Sequence, residues 1–198
     1  MKPTIFVSIG HITQLSAQDH WEDEYIAGFK TAERKKESIL ARKLLNELCL
    51  FHFAKTVKDL DFRKTDKGKP ILNLGHCSIS HSGGVVAVGV SKFNFGIDIE
   101  NMNQPNCEQL EIAFSKEEWL NFKGNSADII KAFSMKEAIT KKTGTGFLIN
   151  PDSINIKQEK HFIQRVLSFS SEREFVLSIC CEENFTTEIN TAEMLCQC

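Results

Sequence analysis

The sequence predicts an α+β protein made of two similar lobes, each running β-α-α-β-β-β and packed face to face. Three observations carry this expectation. The element order read at residues 1–94 recurs at 95–198, β-branched runs trade places with apolar stripes of helical spacing, and no low-complexity linker separates the halves. The 198 residues suffice to bury a real core.

Thr4–Ile9 is β-branched and aromatic, stops at Gly10 and reads as a strand. Ser16 followed by Asp19 resembles a capping box that opens a helix towards Phe29. A longer helix is expected from Thr31 to Ala54, because Leu40, Leu44, Leu48 and Phe51 recur at helical spacing. The turn chemistry of Asp66–Pro70 precedes three strands, at Ile71–Leu74, Cys77–Ser80 and Val85–Ser91. The second half opens with a strand at Phe95–Glu100. Helical segments follow near Cys107–Phe122 and Ser126–Lys142, then strands at Ser153–Lys157, Phe162–Phe169 and Phe175–Cys181.

Composition excludes several classes. Hydrophobic residues at 41% and charged residues at 25% exclude a disordered chain. A formal net charge of −2 lacks the basic field of a nucleic-acid binder, so an anionic ligand needs a local patch. The seven cysteines lack C-x-x-C spacing and mostly lie in apolar runs, which predicts free thiols and a cytoplasmic setting. Thr4–Ile9 is too short for a secretory signal and Val85–Val90 too short to cross a bilayer, so no membrane partner is expected. The histidines outside the motif below show no zinc spacing.

Three fragments can carry chemistry. In Gly96-Ile-Asp-Ile-Glu100, alternation sends Asp98 and Glu100 to one face, either a solvated edge or ligands for a hard cation such as Mg²⁺. In Lys131–Lys141, Phe133, Glu137 and Lys141 share a helical face, and a Glu137–Lys141 pair can be no more than a surface salt bridge. Gly144 and Gly146 then allow close approach of a ligand to the backbone, though a helix C-cap explains one of them equally well. Ser78-Ile-Ser-His-Ser-Gly-Gly84 sets His81 between two serines at a strand end, without the G-x-S-x-G pattern of a serine hydrolase.

Together, Gly68-Lys-Pro70, Ser78–Ser82, Gly96–Glu100, Phe114-Ser-Lys-Glu-Glu118, Phe133-Ser-Met-Lys-Glu-Ala-Ile-Thr-Lys141 and Gly144-Thr-Gly146 resemble, in order and spacing, the larger, pseudodimeric 4′-phosphopantetheinyl transferases. The resemblance covers roughly residues 40–150, and Phe133 stands where that family usually has Trp. It implies a pseudodimer with the active site between its lobes, acting as a monomer. The implied reaction moves 4′-phosphopantetheine from coenzyme A to a serine of an acyl or peptidyl carrier protein, with Mg²⁺, releasing adenosine 3′,5′-bisphosphate. It further implies that Asp98, Glu100 and Glu137 hold Mg²⁺ and that Lys141 contacts the phosphates with Lys136 close by. Lys69, Ser80 and His81 would hold the 3′-phosphate and its neighbours, and Arg42 would also face coenzyme A. Glu137 is the candidate base. The segment from Phe114 through Trp119, Leu120 and Phe122 is a candidate carrier-docking face or else a buried helix. The competing readings are an inactive coenzyme A- or carrier-binding homologue and a Mg²⁺-dependent phosphate-anhydride hydrolase.

Overall fold

Val85–Ser91 is apolar on both faces, and only a strand covered from both sides tolerates that pattern; it lies at the centre of the fold as β5. The computed structural model describes residues 2–19, 21, 24–103, 106–145, 151–170 and 173–191. Strand β1 (Thr4–His11) leads through a 3-10 turn and a short helix α1 (Glu24–Ala27) to the long helix α2 (Ala32–Phe53). Strands β2 (Arg63–Lys64), β3 (Pro70–Leu72), β4 (Gly75–Ser82) and β5 follow. After β6 (Phe95–Asn101) come a 3-10 segment at Cys107–Ala113, helices α3 (Lys116–Asn121) and α4 (Ser126–Thr143), and strands β7 (Phe162–Ser170), β8 (Arg173–Cys181) and β9 (Thr186–Thr191).

The strands form two sheets, ordered β2-β3-β4-β5-β1-β9 and β6-β8-β7. Helix α2 covers the first sheet: Leu40, Leu44, Leu45 and Leu48 pack on Val86, Val88 and Val90. Alternation sends Ile5, Val7, Ile9, Val85 and Ala87 to the opposite face, where they meet Ile97, Ile99, Leu177 and Ile179 of the second sheet. Helix α4 lies against β6 and β8. The layers therefore run helix, sheet, sheet, helix, and the protein is of mixed α+β class.

The long helix matches expectation closely. Thr31 accepts a hydrogen bond from the Arg34 amide at 3.2 Å, and Ala54 closes the other end in the left-handed region. The helix expected from Ser16 to Phe29 is corrected. Ser16 donates from both its amide and hydroxyl to Asp19 Oδ2, which also receives Lys43 Nζ at 3.0 Å, so this carboxylate ties a turn to α2. Among the described residues there, only Glu24–Ala27 is helical.

The strand expected at Ser153–Lys157 is also corrected, since 3-10 turns occupy Pro151–Ser153 and Ile156–Gln158. Asn155 accepts from the Lys157 amide at 3.0 Å and offers the backbone a local partner in place of a ladder. The element order of the first half therefore does not recur strand for strand. Strand β9 was not foreseen. It pairs parallel with β1, Thr4 opposite Thr186, and so returns the chain to the first sheet.

The two sheets meet at β4, an inner strand of the first, and β6, an edge strand of the second. Ser78, Ser80 and Ser82 stand two residues apart on one face of β4. Ser78 Oγ accepts from the Ile97 amide, Ser80 Oγ donates to Asp98 Oδ1 and Ser82 Oγ donates to Glu100 Oε2, at 3.0, 2.8 and 2.8 Å. Side chains replace the main-chain ladder along this seam, and the acidic strand is held beside the Ser-His-Ser motif.

Candidate active site

Two glycines place α4 on the seam. A Cβ at Gly96 would overlap the Ala138 carbonyl oxygen and the Lys142 amide, so β6 and the last turns of α4 touch backbone to backbone. Gly144 ends α4 at φ 68°, the left-handed cap conformation, with the Lys69 side chain packed across it. The cap explanation of Gly144 thus holds, while Gly146 lies outside the described residues. This packing brings Glu137 and Lys141 down beside Asp98.

Asp98 is 2% exposed. Its Oδ1 accepts from Ser80 Oγ and from Lys141 Nζ at 2.6 Å, and Lys141 Nζ also lies 2.8 Å from Ser80 Oγ. Its Oδ2 is buried with no hydrogen-bond partner. Burial pushes the Glu137 carboxyl above its ordinary value; Lys141 works against that and the Asp98 charge adds to it. Negative charge is thus under-compensated here. Among the described residues, however, no three His, Cys, Asp or Glu side chains stand close enough to hold a metal as they are.

Two cavities meet along Gly68, Pro70 and Ile79. One, of about 190 Å³, lies between the Lys67–Pro70 turn and α4, lined by Glu137, Thr140 and Lys141. The other, of about 160 Å³, is lined by Arg34, Glu37, Arg42, Lys64 and His81. In it His81 Nδ1 lies 2.5 Å from Arg34 Nη1 and 3.1 Å from Glu37 Oε2. Burial alone would raise Glu37, but His81, Arg34 and the Gly84 amide outweigh it and hold the carboxyl below the usual range. The Arg42 guanidinium lies 4.1 Å over the Phe62 ring.

The expected site residues therefore divide. Asp98, Ser80, Glu137 and Lys141 converge at the seam, with Glu100 one register step along. Arg42 and His81 line the basic cavity, whereas Lys69 lines the first one and donates to Asn94 Oδ1 and the Lys142 carbonyl. Lys136 is not brought to the cleft. It is 1% exposed and donates to the Ala113 carbonyl and Glu118 Oε2 at 3.0 and 2.8 Å. The Ser115–Glu118 capping box forms, and Phe114, Trp119 and Phe122 pack on one another, leaving Leu120 and Ile112 exposed.

Sequence reasoning missed Arg34, Glu37 and Lys64. Arg34 and Glu37 stand one turn apart on α2 and were visible there as a helical ion pair, whereas Lys64 reaches the cavity only through tertiary folding. Cys49, Cys77, Cys107, Cys180 and Cys181 are free thiols, as expected, and Cys196 and Cys198 lie outside the described residues. Among the described residues no helix is long and apolar enough to cross a membrane.

Residues 94–185 match the model of the 4′-phosphopantetheinyl transferase superfamily. The chain is 33% identical over 129 residues to the 4′-phosphopantetheinyl transferase psf-1 of Bacillus pumilus, a match covering 58% of this chain and 55% of that protein. The chain thus spans about half the length of this relative. The matched region contains Asp98, Glu100, Glu137 and Lys141, and by it the second half of this chain is similar to the 4′-phosphopantetheinyl transferase superfamily.

Proposed function

We propose that the protein transfers 4′-phosphopantetheine from coenzyme A to a serine hydroxyl of an acyl or peptidyl carrier protein. The observation that carries this reading is the paired cavity, with Arg34, Arg42, Lys64 and His81 at one end and Glu137, Lys141 and Lys67 at the other. An elongated ligand with phosphates at two separated points fits such a cleft, and coenzyme A is that kind of molecule. We read the two sheets with their covering helices as the lobes of a pseudodimer, the chain crossing from the first to the second near residue 94 and β9 returning to the first, with the cleft at their seam.

In this reading Arg42 and His81 bind the 3′-phosphate end, joined by Arg34 and Lys64. Lys69 fixes the turn between the cavities to the end of α4. Asp98, Glu100 and Glu137 would hold Mg²⁺, and the orphaned Asp98 Oδ2 and the mutual repulsion of Asp98 and Glu137 fit a hard dication. Because no three of these groups are gathered as they stand, the site needs a side-chain rearrangement. When bound, the ion would neutralise charge on the pyrophosphate.

Glu137 accepts the proton of the incoming serine hydroxyl, whose oxygen bonds to phosphorus as the bond to adenosine 3′,5′-bisphosphate breaks. Lys141 steadies the phosphoryl oxygens during that step. Incubation with coenzyme A, Mg²⁺ and a panel of apo carriers, read by mass spectrometry, tests the proposal. The expected product is a carrier heavier by one phosphopantetheine. Nucleotide release without a carrier would point to a hydrolase, and binding without turnover to an inactive homologue. Asp98→Ala, Glu100→Ala and Glu137→Ala should each lower transfer by roughly 10²- to 10³-fold without loss of fold.

A further inference from the structure

Asp98 presents a problem that the rest of the seam does not. A carboxylate at 2% exposure needs a counter-charge, because an uncompensated buried charge costs several kcal/mol. In the structure the counter-charge is the Lys141 ammonium, 2.6 Å from Oδ1 and also bonded to Ser80 Oγ. The other carboxylate oxygen, Oδ2, stays buried without a partner. A dication bound through Oδ2 and an ammonium on Oδ1 would share one carboxylate and repel each other.

Lys141 has somewhere else to go. Its side chain is 28% exposed and lines the cavity together with Lys67, Lys69 and Glu137, at the end of the cleft opposite the one read above as holding the 3′-phosphate and so the place for the ligand's pyrophosphate. An anion there offers the ammonium a partner of higher charge than Asp98 and at the same time relieves the repulsion felt by a metal.

We propose that Lys141 is a resident cation competing with the divalent metal for Asp98, so that a pyrophosphate-bearing ligand prepares the metal site by drawing Lys141 away. This rests on the coenzyme A reading of the cleft and adds the coupling between its two ligands. Metal affinity is low in the ligand-free protein and rises when the anion binds, and by linkage the metal raises anion affinity by the same factor. Lys141 then has two successive partners, Asp98 before the ligand arrives and phosphate afterwards.

The test is an equilibrium titration of the full chain with Mn²⁺, by calorimetry and electron paramagnetic resonance, without and with saturating coenzyme A. Lys141→Gln removes the competitor, Lys141→Arg keeps its charge, and Lys67→Gln removes a charge from the same cavity. Thermal unfolding checks that each variant folds. Coenzyme A should tighten Mn²⁺ binding to wild type by about tenfold or more, within the usual range of such couplings. Lys141→Gln should tighten Mn²⁺ binding by a similar factor in the absence of coenzyme A and lose most of the coupling. Lys141→Arg should behave as wild type, and Lys67→Gln should change the ligand-free affinity by less than about threefold, as expected of a screened, exposed charge.

Equal ligand-free affinity of wild type and Lys141→Gln would overturn the competition, even with transfer activity and coenzyme A binding intact. An equal gain in Lys67→Gln would also overturn it, since charge in the cavity alone would then suffice. No Mn²⁺ binding in any arm would overturn both this inference and the metal part of the proposed function. Loss of coenzyme A binding in wild type would instead identify the reading of the cleft as the failure.

Discussion

Lys136 immediately precedes Glu137 in the sequence yet points away from the cleft, into a small apolar cluster with its ammonium 4.9 Å over the Phe114 ring. One helical step of about 100° separates it from Glu137, and it falls on the buried stripe with Ile129, Ala132 and Thr140. Breaking a fully buried ion pair costs about 3 to 5 kcal/mol, and because Glu118's side chain keeps 26% exposure the expected loss for Lys136→Ala is about 2 to 3 kcal/mol. Urea unfolding measures it, and a loss below about 0.5 kcal/mol, the size of an ordinary surface change, would show that the pair does not tie α3 to α4. The same pair has a pH signature. Burial alone would raise Glu118, but Lys136 and the Ser115 amide and hydroxyl hold its carboxyl below the ordinary range. Stabilisation from a depressed carboxyl is complete above its unfolded value and disappears as pH falls through its folded one. The stability gap between wild type and Glu118→Gln should therefore hold steady through neutral pH and close on acidification past the ordinary carboxylate range. A gap that first closes on the alkaline side would contradict this assignment.

Among the elements, α4 is fixed by backbone contact at Gly96, which the side-chain pattern of β6 does not advertise. Gly96→Ala would force α4 off the strand against backbone atoms that cannot rotate aside, an overpacking cost of about 2 to 3 kcal/mol. Urea unfolding of the variant checks this, and an unchanged midpoint would mean that α4 is not seated on β6. The long helix was legible from its periodic apolar stripe, β5, β6 and β8 from the apolar runs they bury, and β4 and β7 from shorter apolar alternation that is only partly buried. The candidate site at the seam was legible only in part. The shared faces of Asp98 with Glu100 and of Glu137 with Lys141 showed in their spacing, but the serine rungs of β4 bond to a strand some 19 residues away, a pairing that no local pattern encodes. The basic cavity is similar, since Lys64, Arg42 and His81 come from three elements. Strand β9 was invisible for another reason: Thr186–Thr191 is polar on its outer face and becomes a strand by pairing with β1, 182 residues distant at Thr4 and Thr186.

For the whole molecule, the core between the sheets decides how the chain unfolds. Ile5, Val7, Ile9 and Val85 of the first sheet are covered on that face by residues of the second, among them Phe95, Ile97, Ile99, Leu177 and Ile179, because α2 and α4 occupy the outer faces. Parting the sheets exposes all of them. At about 1.5 to 3 kcal/mol for each large side chain, the loss exceeds the 5 to 15 kcal/mol that holds a typical domain folded. Neither half should therefore survive alone, although the family match lies in the second half and β9 returns to the first sheet. The two tryptophans report on opposite sides of this core: Trp21 packs against the α2 cluster and Trp119 against the α3–α4 cluster. In Trp21→Phe, emission follows the second half, and in Trp119→Phe it follows the first. Urea titration of the two variants, each compared with its own far-ultraviolet circular dichroism, should give coincident midpoints for both probes in one cooperative transition. A Trp119 signal lost well before the circular dichroism would instead make the α3–α4 cluster a separately melting unit.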